Sequence, residues 1–375
     1  MTSRDPNRDP NPDTDSHSLH LALEADGDGA HPAAVPAPTP GPQPLRATVT
    51  AVENAGFTLV TFADSPLPPG GTGRTGRTGH RVEAGTRAAF VSTLTDRIGL
   101  APTLHATVTE PFHLATQLAS LDHAANGRAA WIVGGAGDTD SRATVGADPL
   151  GPDALRREVE DVIDVARALW DSWEDDAVIK DVATGRFLDW RKVHHVDFEG
   201  AGFTVKGPLI SPRPPQGQVV VLVPDHLGAD GRADIVLVAR PDAAGIASRA
   251  AAARQAGAPL VFAEIEVVLD ADVPAVERLA GLDRIAAWPR TGRLRHVGSP
   301  AALTGLLREL AGTVDGVRLH PAELAVDLPV LTAQVLPALA AAGLHRPPRP
   351  GATLHESLGL PRPANRFAAA ATPTS

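Results

Sequence analysis

The chain contains no cysteine and no tyrosine, and methionine occurs only once among its 375 residues. Without cysteine there can be no disulfide, no thiolate nucleophile and no cysteine-ligated metal, which agrees with a cytoplasmic location. No run of Lys and Arg is present and the formal net charge is −10, which argues against nucleic acid as a partner. The first residues lack the apolar core of a secretory signal. No uninterrupted apolar run reaches about 18 residues, so a membrane-spanning helix is not expected.

Length and apolar content suit one large domain. A chain of 375 residues fits one barrel with insertions, although length alone would also allow two domains. Apolar residues make up 43% of the chain, which is enough for a large core. Residues 1–16 are rich in Asp, Pro and Asn and are predicted to be disordered.

Short apolar runs bounded by Gly, Pro or Asp predict eight buried strands. They span residues 19–24, 57–63, 98–107, 129–133, 219–223, 235–239, 260–269 and 317–320. Helical apolar spacing falls between them, at residues 46–54, 84–95, 111–127, 153–173, 243–256, 274–280, 300–310 and 329–342. Residues 31–44 and 66–80 are rich in Pro or Gly and are predicted to be loops. The glycines of the second loop do not follow a strand and open a helix, so they do not make a dinucleotide-binding fingerprint.

The alternation of strands and helices predicts a parallel sheet covered by helices. The helix predicted at residues 153–173 has a single apolar stripe, as a helix packed on the outside of a barrel requires. Eight strands fit a closed (β/α)8 barrel better than an open doubly wound sheet, which is kept as the alternative.

Four stretches of the chain have a sequence that no general rule of composition predicts. The most distinctive is LWDSWEDDAVIKDVATGRFLDWRKVHHVDFEGAGFTVKGPLISPRPPQG at residues 169–217. The others are AGFTLVTFADS (55–65), RIGLAPTLHATVTEPFHLATQLASLDHAANGRAAW (97–131) and ESLGLPRPANRF (356–367). Together they resemble the luciferase-like flavin-dependent monooxygenases, in particular the branch of the nitrilotriacetate and dibenzothiophene-sulfone monooxygenases. The resemblance implies a barrel over residues 17–345, an insertion at about 174–217 after the fourth helix, and a C-terminal tail (346–375) that packs on the barrel and ends in disorder.

The resemblance also implies an activity. It indicates an enzyme that takes reduced FMN from a separate flavin reductase and uses O2 to oxidise a small organic substrate. In that family the flavin lies at the C-terminal mouth of the barrel, where the protein orients the ring and shields it from water. A deazaflavin is the less favoured cofactor. No metal site and no membrane partner are expected, and a homodimer is left open because dimers are common among relatives.

Four residues correspond to flavin-site positions of that family. Asp64, at the end of the second strand, matches an aspartate near the flavin ring, or else it caps the following loop. The hydroxyl of Thr103, on the third strand, faces either the mouth or the core. His105 replaces a small hydroxyl residue and either donates to the flavin or fills its space. Arg156 lies near the position of a family tyrosine and either binds the FMN phosphate or is a surface arginine.

Other positions depart from the family pattern. Residues 132–136 are apolar or glycine where the family has polar groups, and Asp225 and Asp230 stand where a Gly/Ser-rich turn cradles the phosphate. Negative charge there opposes a phosphate. A second hypothesis is therefore a barrel that has lost its flavin and serves as a non-catalytic partner subunit or ligand-binding protein. His194 and His195 are candidates for substrate contact, acid–base work or a structural role. The substrate and the catalytic residues are left unassigned.

Overall fold

The computed structural model describes residues 18–25, 27–34, 42–67 and 82–368. The predicted disordered tail at residues 1–16 and the chain beyond residue 368 lie outside the described residues, as do the greater parts of the two predicted loops. Within the described ranges the chain alternates strands and helices from His20 to Leu358.

The strands form one closed barrel and two small hairpins. In chain order they are β1 (His20–Glu24), β2 (Leu59–Phe62), β3 (Gly99–His105), β4 (Ala130–Gly134), β5 (Val178–Asp181), β6 (Arg186–Leu188), β7 (Phe198–Glu199), β8 (Thr204–Val205), β9 (Val220–Pro224), β10 (Ile235–Val238), β11 (Leu260–Leu269), β12 (Leu294–Gly298) and β13 (Gly316–Pro321). The barrel consists of β1, β2, β3, β4, β9, β10, β11 and β13, all parallel. The ring closes because β13 pairs with β1 and β10 pairs with β11. This confirms the predicted barrel and rules out the open sheet.

One parallel strand was not predicted. β12 pairs with the second half of β11, from Ile265 to Leu269, beyond the point where β10 has ended against Ala263. Its sequence is LRHVG and only Leu294 is fully buried. A strand this polar does not produce the continuous apolar run by which buried strands are recognised.

The helices surround the barrel. They are α1 (Pro42–Ala55), α2 (Ala84–Ser92), α3 (Pro111–Ala124), α4 (Thr139–Ala143), α5 (Pro152–Asp171), α6 (Ala243–Gln255), α7 (Ala275–Ile285), α8 (Pro300–Leu310), α9 (Leu324–Val330), α10 (Leu336–Ala341) and α11 (Leu354–Leu358). The stripe of α5 is buried from Val159 to Trp170, as its spacing predicted.

Two predictions that relied on proline were wrong. α1 begins at Pro42, inside the predicted loop 31–44, because a proline in the first turn removes no helical hydrogen bond. The last long helix begins at Leu324 instead of Pro329 and runs through that proline. A π-helical turn at Leu331–Val335 follows at once and joins α9 to α10. Such a turn is a local adjustment that accommodates a proline inside a helix.

The segment 324–341 is also the one described helix long and apolar enough, by length and composition, to cross a membrane. The sequence patterns did not predict it. Leu331, Val335 and Leu339 belong to the main core cluster. Asp327 is fully buried and contacts Arg278 at 2.7 Å. An apolar helix that packs on a barrel meets the same criterion as a membrane span.

The insertion and the tail lie at the amino end of the barrel. Each helix of such a barrel returns the chain to the amino ends of the strands, so the segment between α5 and β9 emerges there. It contains the hairpins β5–β6 and β7–β8. The amide of Leu354 in α11 donates to the carbonyl of Gly127 at 2.8 Å. Leu354 and Leu358 pack with Leu59 and Phe262 inside the barrel, so apolar side chains close this end.

Candidate functional site

Buried polar side chains line the barrel near the carboxyl ends of β1, β2, β11 and β13. The guanidinium of Arg318 donates to Glu24, to Thr61 at 3.0 Å and to Glu264 at 2.7 Å. His320, on the same face of β13, lies 3.3 Å from Glu264. All five side chains are buried. We call these five residues the lumen cluster.

The electrostatics of the lumen cluster fix its protonation. Burial alone would raise the pKa of Glu264, but the contact with His320 and the positive charges of Arg318 and Arg293 hold it well below its usual value. Burial, reinforced by those two arginines, lowers the pKa of His320 to about 3. Near neutral pH the cluster therefore combines an ionised Glu264, a charged Arg318 and a neutral His320 imidazole.

The segment around β12 adds two arginines above the cluster. Arg293 lies 3.2 Å from Glu264, and Arg295 lies 2.6 Å from Glu266. The guanidinium of Arg295 also stacks on Trp288, 3.9 Å from the ring centroid. With Glu24 and Arg318 included, three carboxylates face three arginines, so this side of the mouth is electrically balanced.

The sequence patterns used above missed these residues, although the sequence contains a signal for them. Glu264 and Glu266 stand two residues apart in an otherwise apolar strand, and so do Arg318 and His320. Side chains two apart on a strand point to the same face. Charges at that spacing inside buried parallel strands therefore indicate the inside of a barrel.

His105 lies at the carboxyl end of β3, where the lumen opens. Both ring nitrogens are buried and have no hydrogen-bond partner among the described residues. Burial lowers the pKa of His105, and the backbone and charge of nearby Asp64 only partly oppose this. A Cβ atom on Gly134 would lie 2.5 Å from Nδ1 of the imidazole, so only glycine leaves the ring its place. His105 is thus a neutral imidazole with unused hydrogen-bonding capacity.

Asp64 and Thr103 have different surroundings. The carboxylate of Asp64 accepts from the amides of Ser65 at 2.8 Å and Ala84 at 2.6 Å. Its bond to Ser65 fits the loop cap that the sequence left open, and its bond to Ala84 supports the start of α2, while its free lone pairs still permit another contact. Thr103 is half-buried beside Ile132 of β4, and its hydroxyl makes no hydrogen bond within the described chain. The structure brings Asp64 and His105 together at the mouth.

Arg156 lies on α5, on the other side of the strand ends. Its stem covers Gly228, where an added Cβ would lie 3.1 Å from Cδ. Its guanidinium is 45% exposed and makes loose ion pairs with Asp153 at 3.9 Å and Glu160 at 3.7 Å. Arg156 thus lies next to the exit of β9. Whether it binds the FMN phosphate stays a prediction.

His194 and His195 lie in the insertion, at the amino end of the barrel. His194 contacts Glu174 at 2.8 Å and stacks on Phe367 of the tail at 4.6 Å. His195 contacts the carbonyl of Gly207 at 2.9 Å. Both rings therefore join the insertion to itself or to the tail, at the end of the barrel opposite the mouth. Their surroundings favour a structural role.

Sequence comparisons give known relatives. The family model described as luciferase-like monooxygenase matches residues 26–309. A subunit of pristinamycin IIA synthase from Streptomyces pristinaespiralis is 34% identical, over 85% of this chain and 90% of that protein. N-acetyl-S-(2-succino)cysteine monooxygenase of Bacillus subtilis (strain 168) is 28% identical, over 77% and 83%. Nitrilotriacetate monooxygenase component A of Aminobacter aminovorans is 38% identical over a shorter region, 38% of this chain and 31% of that protein.

Solved structures share the fold. A riboflavin lyase structure superposes with a TM-score of 0.79 at 21% identity, covering 91% of this chain and 96% of that one. Long-chain alkane monooxygenase gives a TM-score of 0.77 at 20% identity, covering 91% and 95%. The family model spans more than half of the chain, and a relative above 30% identity covers most of it. The chain therefore belongs to the luciferase-like monooxygenase family.

Proposed function

We propose that this chain is the oxygenase component of a two-component flavin-dependent monooxygenase. It receives reduced FMN from a separate flavin reductase and oxidises a small organic substrate with O2. Members of the family use reduced flavin, and the relative from Aminobacter aminovorans is itself named a component. The named relatives act on chemically different compounds, so the substrate of this chain stays open.

The observation that carries the proposal is the unpartnered imidazole of His105. A buried polar group without a partner costs about 1–3 kcal/mol, so an apolar residue would stabilise the free protein better. A ligand with polar ring edges would satisfy both nitrogens, since a neutral imidazole has one donor and one acceptor. An isoalloxazine ring has such edges.

The other residues of the mouth would hold and orient the ring. Reduced flavin supplies the electrons for the reaction with O2. Asp64 would accept from a donor of the ring or ribityl chain, and the hydroxyl of Thr103 lies on the same strand as His105. The lumen cluster forms a rigid floor of opposite charges below the mouth, and its polar atoms are engaged with one another. We assign no catalytic residue, because orientation and exclusion of water are what this chemistry asks of the protein.

The experiment is an anaerobic titration of the purified chain with reduced FMN, followed by mixing with oxygenated buffer. We expect saturable binding, slower reoxidation of the bound flavin than of free flavin, and a lower yield of hydrogen peroxide. Free FMN with an equal concentration of an unrelated protein is the control. If neither oxidised nor reduced FMN binds at high micromolar concentration, the proposal is wrong.

A second candidate function is a non-catalytic partner subunit. The specific observation is the relative named as a subunit of pristinamycin IIA synthase, 90% of whose length the match covers. The acidic residues at the exit of β9 point the same way, because they replace a phosphate-binding turn. Oxygen-dependent turnover by this chain with any reductase and substrate would dismiss this candidate. Stable association with a second luciferase-like chain, without flavin binding, would support it.

A further inference from the structure

The exit of β9 is where the resemblance to the family places the phosphate of FMN. We call residues 224–230 and 239–249 the β9–β10 corner, since they follow the ends of β9 and β10, and the second range leads into α6. Flavin binding as proposed above would bring the phosphate to this corner. Its residues decide whether that phosphate gains anything from the protein.

Two aspartates already occupy the arginines of the corner. Asp225 is only 4% exposed on its side chain and pairs with Arg240 at 2.7 Å and Arg249 at 3.2 Å. Asp230 pairs with Arg249 at 2.6 Å. These contacts use Nε and Nη2 of Arg249 and Nη1 of Arg240, and the charges of the two arginines and the two aspartates cancel. A phosphate at this corner would therefore meet guanidiniums whose charge the two carboxylates already offset.

The remaining cation is also committed. Arg156 beside Gly228 shares its charge with Asp153 and Glu160. In these ion pairs at the corner and its flank, three arginines face four carboxylates, which leaves one negative charge. Such a region repels a dianion instead of attracting it.

One backbone donor of the corner is engaged as well. The start of α6 is the helix N-terminus of this corner, and it carries its own anion. Asp242 is the N-cap residue and accepts from the amide of Gly245 at 2.7 Å. A helix N-terminus binds phosphate through free amides and the helix dipole; the Asp242 cap takes one of these amides and places a carboxylate at the positive end of the dipole. The residues of the corner therefore do not fit a phosphate group.

We propose that this chain binds its flavin through the ring and ribityl chain alone and gains no affinity from the 5′-phosphate. It would accept reduced riboflavin as well as reduced FMN. The inference rests on the proposed function, because it concerns the same mouth. In this respect the chain differs from a barrel in which contacts to the flavin phosphate supply much of the binding energy.

The experiment compares dissociation constants for reduced FMN and reduced riboflavin, measured anaerobically by flavin fluorescence and calorimetry on the full-length chain. We expect riboflavin to bind at least as tightly as FMN, and added salt to improve FMN binding by screening the repulsion. Asp225→Asn removes the competing carboxylate. We expect it to tighten FMN binding relative to riboflavin binding by about tenfold, which corresponds to one charge-assisted hydrogen bond.

Two further variants keep the test decisive if Asp225→Asn folds poorly. Asp230→Asn frees one end of Arg249 and should shift the relative affinities in the same direction. Arg240→Gln should leave the relative affinities for FMN and riboflavin unchanged, because Asp225 already offsets the charge of this guanidinium. Asp164→Asn is the matched control, since it breaks an aspartate–arginine pair with Arg232 on the outer surface of α5 at 3.1 Å.

The outcomes separate the two proposals. FMN binding about tenfold or more tighter than riboflavin in the unaltered chain overturns this inference and leaves the proposed function standing. If Arg240→Gln lowers the affinity for FMN but not for riboflavin, the inference is likewise overturned and the proposed function stands. Failure of both flavins to bind overturns the inference together with the proposed function.

Discussion

The two ends of the barrel are built on opposite principles. At the amino end, Leu354 and Leu358 of the tail close a lumen lined by side chains such as Leu59 and Phe262. At the carboxyl end the same lumen holds charged groups around Arg318, and the mouth beyond it holds His105, whose ring nitrogens have no hydrogen-bond partner among the described residues. In this fold the amino end serves stability and the carboxyl end serves chemistry. The contrast indicates that the mouth was not optimised for folding.

The energetic consequence differs at each end. Apolar burial at the amino end stabilises the fold by about 1.5–3 kcal/mol for each large side chain. Buried ion pairs at the carboxyl end return little net stability, because desolvation offsets their attraction. Removing one partner of such a pair is nevertheless expensive. Substitutions at the two ends should therefore lower the unfolding free energy for different reasons: lost apolar burial at the amino end and the loss of a buried charge's partner at the carboxyl end.

The largest effect is expected at the centre of the lumen cluster. Arg318→Leu removes the buried cation that Glu24 and Glu264 share, which should cost about 3–5 kcal/mol of unfolding free energy. Urea denaturation measures it. Arg232→Leu, which breaks an exposed pair with Asp164, is the control and should cost about 0–1 kcal/mol. Equal losses of unfolding free energy in the two variants would mean that the buried and the exposed ion pair contribute alike, against this expectation.

A smaller effect is expected at the apolar end. Leu354→Ala opens a cavity below the lumen and should cost about 2–4 kcal/mol, because Leu354 is buried against the interior of the barrel. Its flavin affinity should not change, since the site lies at the other end. Val182→Ala on the exposed β5–β6 turn is the control and should change neither quantity. A change in flavin affinity in Leu354→Ala would couple the ends and contradict the comparison.

The amino end also contains buried charged groups, among them the carboxyl of Asp122. Burial raises its pKa to about 7, against the opposing hydrogen bonds from Ala129 and Gln216 and the charge of Arg128. The pKa is raised on folding, so the stability contribution is fully present below the unfolded value of 3.8 and is lost as pH rises through about 7.

We therefore expect the unaltered chain to lose about 2–3 kcal/mol relative to Asp122→Asn between about pH 5 and about pH 8. Urea denaturation of both proteins across this range gives the difference. The comparison with Asp122→Asn cancels the titration of His355, whose pKa burial lowers. A constant difference between the two proteins would mean that Asp122 is ionised throughout.

The sequence predicted the parts of the molecule that depend on apolar patterning. The eight barrel strands follow from continuous apolar runs such as residues 260–269, which β11 reproduces with the predicted bounds. β12 escaped because it is polar, and the start of the last long helix was misplaced because Pro329 lies inside it. The positions of the insertion and of His194 could have been deduced from topology, since a segment that follows a helix emerges at the amino end.

The site was less accessible to prediction. The sequence located Asp225 and Asp230 at the exit of β9 but could not reveal that Arg240 and Arg249 neutralise them, because those arginines come from another strand end and from α6. The missing partners of His105 were equally hidden. A hydrogen bond that is not made depends on every side chain around the ring, and no local pattern records it.

The most direct test of the central claim pairs two buried histidines. His105 has no partner among the described residues, whereas His345 contacts the carbonyls of Leu19 at 3.2 Å and Gly56 at 2.8 Å. The measured quantities are the unfolding free energy and the reduced-FMN affinity of His105→Leu and His345→Leu. We expect His105→Leu to gain about 1 kcal/mol of unfolding free energy and to bind reduced FMN about tenfold or more weakly. We expect His345→Leu to lose unfolding free energy and its folded fraction to keep its affinity for reduced FMN. A His105→Leu variant that is less stable and binds flavin as tightly as the unaltered chain would contradict the central claim.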